Sequence, residues 1–144
     1  VYHEARSEPL LGQIAVAEVV LNRADSSRYP DKVCEVVTQG GTVRHRCQFS
    51  YYCDGKPETP FNRRAWRRSV AIAKLSRNGV VSAGVHDATH YHATYVAPYW
   101  RAHFSLVRTI GSHIFYRPER RSSVHTIASG DAEAAGSTVL VANL

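Results

Sequence analysis

Two periods of apolar residues run along the chain, and each predicts a different kind of element. From Pro9 to about Ala24, Leu10, Ile14, Ala17, Val20 and Leu21 recur at helical spacing, with Pro9 suited to a first turn and Asp25-Ser26-Ser27 ending the run. This predicts a core helix. Arg28-Tyr29-Pro30 reads as a turn, after which Asp31 can cap a short helix carrying Val33, Val36 and Val37 that stops before Gly40-Gly41. A second long helix is predicted from about Asn62 to Arg77. Its Ala65, Trp66, Ser69, Val70, Ala73 and Leu75 face inward, and Asn78-Gly79 supplies a left-handed stop. The period then falls to two. Thr89, Tyr91, Ala93 and Tyr95 alternate with His90, His92 and Thr94, a strand with aromatics on one face and two imidazoles on the other, ended by Pro98. Phe104 to Thr109 and His113 to Arg117 read as an antiparallel hairpin around Ile110-Gly111-Ser112. Residues 42–61, rich in turn formers, predict a hairpin or irregular loop that carries Gln48-Phe49-Ser50-Tyr51-Tyr52. Beyond Pro118 the periodicity disappears until Thr138-Val139-Leu140-Val141, so residues 118–144 read as a peripheral or flexible tail. The whole describes an α+β domain, helices around a small antiparallel sheet.

Composition narrows the setting. At 144 residues and 44% apolar content, one domain with a proper core is expected. Lys and Arg outnumber Asp and Glu 18 to 12, for a net charge of +6, so polyanions such as nucleic acid, anionic lipid or wall polymers are attracted without being distinguished. Arg63, Arg64, Arg67 and Arg68 cluster on the second long helix. No nucleic-acid recognition motif accompanies them, so they read as a solvated face and no nucleic-acid partner is expected. No apolar run approaches a membrane span, and the start lacks a basic region followed by an apolar one, so stable membrane insertion is not expected. Val1-Tyr2 enters patterned sequence with no capping residue ahead, which predicts an upstream part of the first helix. Three cysteines permit one disulfide. Cys47 and Cys53, close enough to staple a loop, are the expected pair in an oxidising compartment, with Cys34 a buried thiol; a reduced protein with three buried thiols is the alternative. With no CxxC pair, a structural zinc site is disfavoured.

The candidate chemistry centres on Glu4, within Val1-Tyr2-His3-Glu4-Ala5-Arg6-Ser7-Glu8-Pro9 at the close of a helix. Alone it is a weak signal, because a Glu and an Arg two apart do not face each other on a helix. Two chemistries compete. In the first, Glu4 lies in an aromatic cleft where partial desolvation raises its pKa, so that it keeps a proton for a glycosidic oxygen; Tyr51, Tyr52, Tyr91, Tyr95, Tyr99 and Trp100 suit sugar stacking. In the second, His90 and His92 hold a zinc ion that activates water for peptide cleavage, with His86, Asp87 or another residue completing the set. His3-Glu4-Ala5-Arg6-Ser7 is not H-E-x-x-H, and hydrogen-bonded sheet histidines are the plainer reading of His90 and His92. A non-catalytic wall-binding module is the third possibility.

Six ordered motifs carry a family resemblance. Tyr2-His3-Glu4-Ala5-Arg6, the run Gly12 to Arg23 (GQIAVAEVVLNR), Tyr29-Pro30, Cys47-Gln48-Phe49-Ser50, Thr89-His90-Tyr91-His92-Ala93 and Gly111-Ser112-His113-Ile114-Phe115-Tyr116 closely resemble the SleB-type cell wall hydrolases, the spore cortex-lytic enzymes. The resemblance spans residues 1 to about 117, the expected catalytic domain. It implies a lysozyme-like α+β fold that cleaves peptidoglycan between N-acetylmuramic acid and N-acetylglucosamine, in many members as a lytic transglycosylase. It maps the family's catalytic acid onto Glu4, which would protonate the departing oxygen and then, as carboxylate, help the C6 hydroxyl of muramic acid close a 1,6-anhydro ring. No second carboxylate, metal or cofactor is required. It implies that Gln48, Phe49 and Ser50 form one cleft wall and that Tyr91, with His90 and Tyr95, lies on the strand opposite. Peptidoglycan is the expected partner, the cell envelope (periplasmic or secreted) the expected location, and a monomer the expected state. The chain departs from the family's E-A-R-G-E at Ser7, where a Cβ is asked to adopt a turn conformation that glycine takes freely. A spore role does not follow.

Overall fold

Helix α2 (Leu10–Ala24) is the axis on which the other elements pack. In the computed structural model, residues 1–41, 47–53 and 60–119 are described. Most of the 42–61 loop and the tail from residue 120 lie outside them. One turn of helix, α1 (Tyr2–Ala5), precedes α2; the short α3 (Val33–Thr38) and the long α4 (Arg63–Arg77) follow. Three strands come last: β1 (His90–Ala93), β2 (Phe104–Ile110) and β3 (His113–Pro118).

The expected core helix is present as α2, and every residue from Gly12 to Val19 is buried. The cause is tertiary: α1, α3, α4 and β2 all contact this helix, so little of its middle reaches solvent. Leu10, expected inside, lies on the first turn beyond these neighbours and is exposed. On α4 the N-cap is Asn62, whose side chain accepts from Ala65 N at 2.9 Å, and Gly79 (φ 68°) provides the expected left-handed stop. Its buried stripe is Ala65, Ser69, Ile72 and Ser76, the i, i+4, i+7, i+11 set that meets α2. Trp66 and Leu75, expected inward, are 42% and 41% exposed, and Ala73 is exposed too, because each sits one step round the helix from that stripe. Arg63, Arg64, Arg67 and Arg68 are exposed, as a solvated face requires. Helix α3 begins one residue later than the Asp31 cap implied, with Lys32 in the N-cap position.

The sheet has the order β1-β3-β2, antiparallel throughout. Strand β1 is shorter than its alternating sequence. Ala93 O accepts from Val96 N in a turn, so the strand ends well before Pro98 and Tyr95 falls outside it. The hairpin at Gly111-Ser112 is as expected, with a register irregularity between Leu106 and Arg108. Gly111 is required there: its φ is +58°, and a Cβ would come within 2.2 Å of Glu8 Oε2 and 2.8 Å of Pro9 Cδ. Ile14, Val16, Val19, Ile72, Val85 and Phe115 are among the buried residues joining helices and sheet in one core.

Cys47 and Cys53 form the expected disulfide, with Cα atoms 6.1 Å apart. Cys34 is exposed, not buried. On so short a helix the inward side is taken by Val36, with Val33 and Val37 partly covered, and position 34 turns outward. Ser7 brings no strain: among the described non-glycine residues only Asp87 has a positive φ. No helix among the described residues is long and apolar enough to cross a membrane.

Candidate active site

Helix α1 turns Tyr2 and Ala5 into the core, which leaves His3 and Glu4 on the opposite side. Tyr2 is the anchor. Its ring meets Trp66 edge-on at 5.6 Å, and its Oη accepts from Asn62 N at 3.1 Å. Arg68 Nη2 donates to the Arg6 carbonyl at 3.3 Å, a second tie between the end of α1 and α4. Arg6 places its guanidinium over Phe61 and Tyr2, 4.9 and 5.4 Å from the ring centroids, and so faces away from Glu4, as the two-residue spacing required.

The partner of Glu4 is Tyr91, whose Oη donates to Glu4 Oε2 at 3.0 Å. Glu4 itself is half-buried, and among the described residues its Oε1 accepts no hydrogen bond. Tyr91 shares the inner face of the sheet with His113 and Phe115, at ring-centroid distances of 5.1 and 5.7 Å. Burial, followed by the charge and hydrogen bond of Glu4, pushes the Tyr91 hydroxyl well above the usual range. It therefore remains a donor at any pH where the protein works.

The facing wall comes from the disulfide-closed segment. Tyr51 stacks on His3 with centroids 4.5 Å apart, and Phe49 lies buried behind, 6.4 Å from Tyr51. Gln48 and Ser50 are exposed on the same segment, with Gln48 N bonded to Gln39 O at 2.9 Å. Of the residues expected in the site, Glu4 and Tyr91 are joined directly, and Phe49 supports the wall from inside. Tyr95 stands apart, 86% exposed beyond the end of β1.

The other face of β1 is a closed aromatic cluster. His90 packs against Phe104 and Trp100 at 4.1 and 5.1 Å, with Nδ1 3.0 Å from Thr89 Oγ1. Burial, then the charge of Arg23, lowers its pKa to about 4, so the ring is neutral. His92 Nδ1 lies 2.8 Å from the Ala93 carbonyl, which can only accept, so Nδ1 carries the hydrogen and Nε2 accepts from Tyr116 Oη at 3.0 Å. Both nitrogens of His92 are therefore committed. His86 sits by Glu18 at 3.4 Å, and among the described residues no three His, Cys, Asp or Glu side chains are grouped to hold a metal. The rival zinc set is therefore not assembled among these residues.

The remaining nearby carboxylates have structural partners. Glu8 accepts from Ser112 N at 2.9 Å and from Ser112 Oγ, tying the β2–β3 turn to the start of α2. Burial raises the Glu8 pKa, but the Ser112 bonds and His113 outweigh it and leave the carboxyl below its ordinary value. Glu18 accepts from Ser82 Oγ and from Ala83 N at 2.8 Å.

Sequence reasoning passed over two residues beside the site. His113 is buried, its pKa lowered by that burial despite the opposing charges of Glu8 and Glu4. Arg23, named only as the last residue of the Gly12–Arg23 motif, is buried against the start of β1. The available signal was its phase: Arg23 follows Val16 and Val19 at i+7 and i+4, on the inward side of α2.

Known proteins resemble this chain in sequence and in fold. A spore cortex-lytic enzyme of Halalkalibacterium halodurans is 36% identical over 116 residues, which are 80% of this chain and 32% of that protein. One from Oceanobacillus iheyensis is 57% identical over 37 residues, 26% of this chain and 13% of that protein. The chain thus spans about a third or less of the length of these relatives. The catalytic domain of the germination-specific lytic transglycosylase SleB from Bacillus anthracis superimposes with a TM-score of 0.64 at 29% identity, covering 81% of this chain and 86% of that one. The catalytic domain of Bacillus cereus SleB gives the same score and identity, covering 82% of its chain. The expected lysozyme-like α+β architecture is therefore the one present. The family profile described as Cell Wall Hydrolase matches residues 7–116, beginning three positions after Glu4, and on that match the chain belongs to the cell wall hydrolase family.

Proposed function

We propose that this domain cleaves peptidoglycan glycan strands between N-acetylmuramic acid and N-acetylglucosamine as a lytic transglycosylase, with Glu4 as its single acid. The observation that carries the reading is the division of labour within one carboxyl group. Tyr91 holds Oε2 in place, and Oε1 is left to carry and deliver a proton. In the first step Glu4 gives that proton to the glycosidic oxygen as the C–O bond breaks and its electron pair moves to the leaving sugar. In the second, the carboxylate takes the proton of the muramic C6 hydroxyl as that oxygen bonds the anomeric carbon. One group serves both steps. Glu8 and Glu18, engaged by Ser112 and by Ser82 and Ala83, are not needed as a second carboxylate.

The His3–Tyr51 stack offers a wall for sugar faces, Phe49 supports it, and Gln48 and Ser50 provide exposed polar groups beside it. Tyr91 positions the acid. His90 shapes the opposite side of the strand, and Tyr95 offers an outlying ring for a longer glycan. The relatives' names, spore cortex-lytic enzyme and lytic transglycosylase, agree with this substrate class. The setting is the envelope, periplasmic or secreted, where the Cys47–Cys53 disulfide persists, and the domain acts as a monomer.

Mass spectrometry of digested peptidoglycan tests the reading. Anhydro-muramic ends, formed equally well in EDTA, are expected. Reducing-end sugars would replace transglycosylation by hydrolysis. Cut peptide stems lost in EDTA and regained with zinc would mean a metallopeptidase, and unaltered sacculi that retain bound protein would mean a binding module.

A further inference from the structure

Arg23, on the last turn of α2, is 2% exposed. Its Nε donates to the Thr89 carbonyl at 2.6 Å, and its guanidinium carbon lies 5.2 Å from the Tyr29 ring centroid and 5.5 Å from that of Phe49. Nη1 is buried, and among the described residues it has no hydrogen-bond partner. A cation this deep with so little pairing is costly, and an apolar side chain of similar volume would fill the space at less expense. Its contacts show what it joins. Thr89 enters the sheet through its own N–H to Tyr116 O at 3.0 Å and lies two residues before Tyr91. Phe49 supports the wall opposite. One side chain thus spans the strand that holds Glu4 in place and the segment that faces it.

The charge has a direction as well as a location. Titratable groups around Glu4 and Arg23 are the Val1 amine, Tyr29, Tyr51, His90, Tyr91 and His113. His90 is neutral because of burial and Arg23, and Tyr91 stays protonated. The charge of Arg23 thus acts on His90.

We propose that Arg23 is a positioning residue for glycan cleavage: its guanidinium locks the Tyr91 strand to the Phe49 wall, so that Tyr91 holds Glu4 in register with that wall through both proton transfers. This rests on Glu4 being the acid. Arg23 acts through Thr89, Tyr91 and Phe49, without touching substrate.

The test is kcat and KM of the full chain on purified glycan strands from pH 4 to 9, for the wild type, Arg23→Met and Arg23→Lys. In Arg23→Met, with the near-ultraviolet spectrum unchanged, kcat is expected to fall roughly 10- to 100-fold with KM little altered. Arg23→Lys keeps the charge but not the fork, so kcat is expected to recover only in part, to roughly 3- to 10-fold below wild type. A Met variant with wild-type kcat, or one whose loss lies in KM, would overturn the proposal, and so would a Lys variant as active as the wild type. If the Met variant does not fold, the Lys variant alone decides by the same criterion. Wild-type protein inert on glycan strands would instead overturn the assignment of Glu4.

Discussion

Glu4 and Glu8 lie one helical turn apart in sequence, yet their surroundings differ in the way expected between a proposed acid and a structural carboxylate. Glu8 faces a tight turn, and both its oxygens are engaged by Ser112, with Gly111 left without a side chain so that the carboxylate can approach. Glu4 faces a strand, and among the described residues one tyrosine hydroxyl holds one of its oxygens. A carboxylate with full partners is stabilised as a charge and keeps a fold together; one with an oxygen to spare can exchange a proton. Residue type therefore says little about role, and the count of committed oxygens says more.

The sharpest way to break that contrast is to neutralise each acid in turn. Glu4→Gln keeps the shape of the carboxyl but has no proton to give, so glycan cleavage should fall by roughly 10²- to 10⁴-fold with the thermal midpoint nearly unchanged. Glu8→Gln should do the reverse, lowering stability by about 1 kcal/mol through its weakened bonds to Ser112 while each folded molecule keeps its turnover. Calorimetry and a dye-release assay on sacculi would measure both, and a Glu8→Gln variant as inactive as Glu4→Gln would erase the distinction.

Removing the tyrosine hydroxyl sharpens the same comparison. Tyr91→Phe keeps the ring packed against His113 and Phe115 but frees Glu4 Oε2. A loss of roughly 10-fold or more in kcat, with little change in KM, is expected from a misaligned acid. Turnover equal to wild type would show that Glu4 needs no such anchor.

The smallest effect expected concerns the two faces of the sheet and pH. His90 has a folded pKa of about 4 against an ordinary 6.5, and burial lowers His113 as well. Below about pH 6.5 the unfolded chain takes up protons that the folded chain refuses, so stability is full above that pH and declines toward pH 4. Because the His90 ring is only partly covered, its share should be on the order of 1 kcal/mol or less. His90→Phe keeps the contact with Phe104 and Trp100 and should flatten the fall of the thermal midpoint between pH 7 and 4.5. An unchanged slope would mean that His90 is not the group responsible.

Local spacing was enough to read α2, α4 and the β2–β3 hairpin, because each depends on residues a few positions apart: Asn62 capping Ala65, Gly79 in the left-handed region, Gly111 at the turn. The Cys47–Cys53 pair was legible for the same reason. Orientation was less so. Trp66 and Leu75 fit an apolar stripe on α4 as written, but the stripe that α2 covers is Ala65, Ser69, Ile72 and Ser76. Cys34 looked like core and faces solvent, since α3 is too short to bury more than one side.

From the sequence by itself came the elements, the family and the candidate acid, all of which rest on residue order and on motifs written contiguously in the chain. Tertiary structure decided which carboxylate keeps an oxygen without a partner among the described residues, because the partner of Glu4 is 87 residues away in Tyr91 and that of Glu8 is 104 residues away in Ser112. It also decided that Arg23 is buried behind the site and that His92 has no nitrogen to spare. Period and propensity act over one or two turns of chain, whereas hydrogen-bond partners, burial and the fields that shift a pKa are set by whichever distant elements the fold brings alongside.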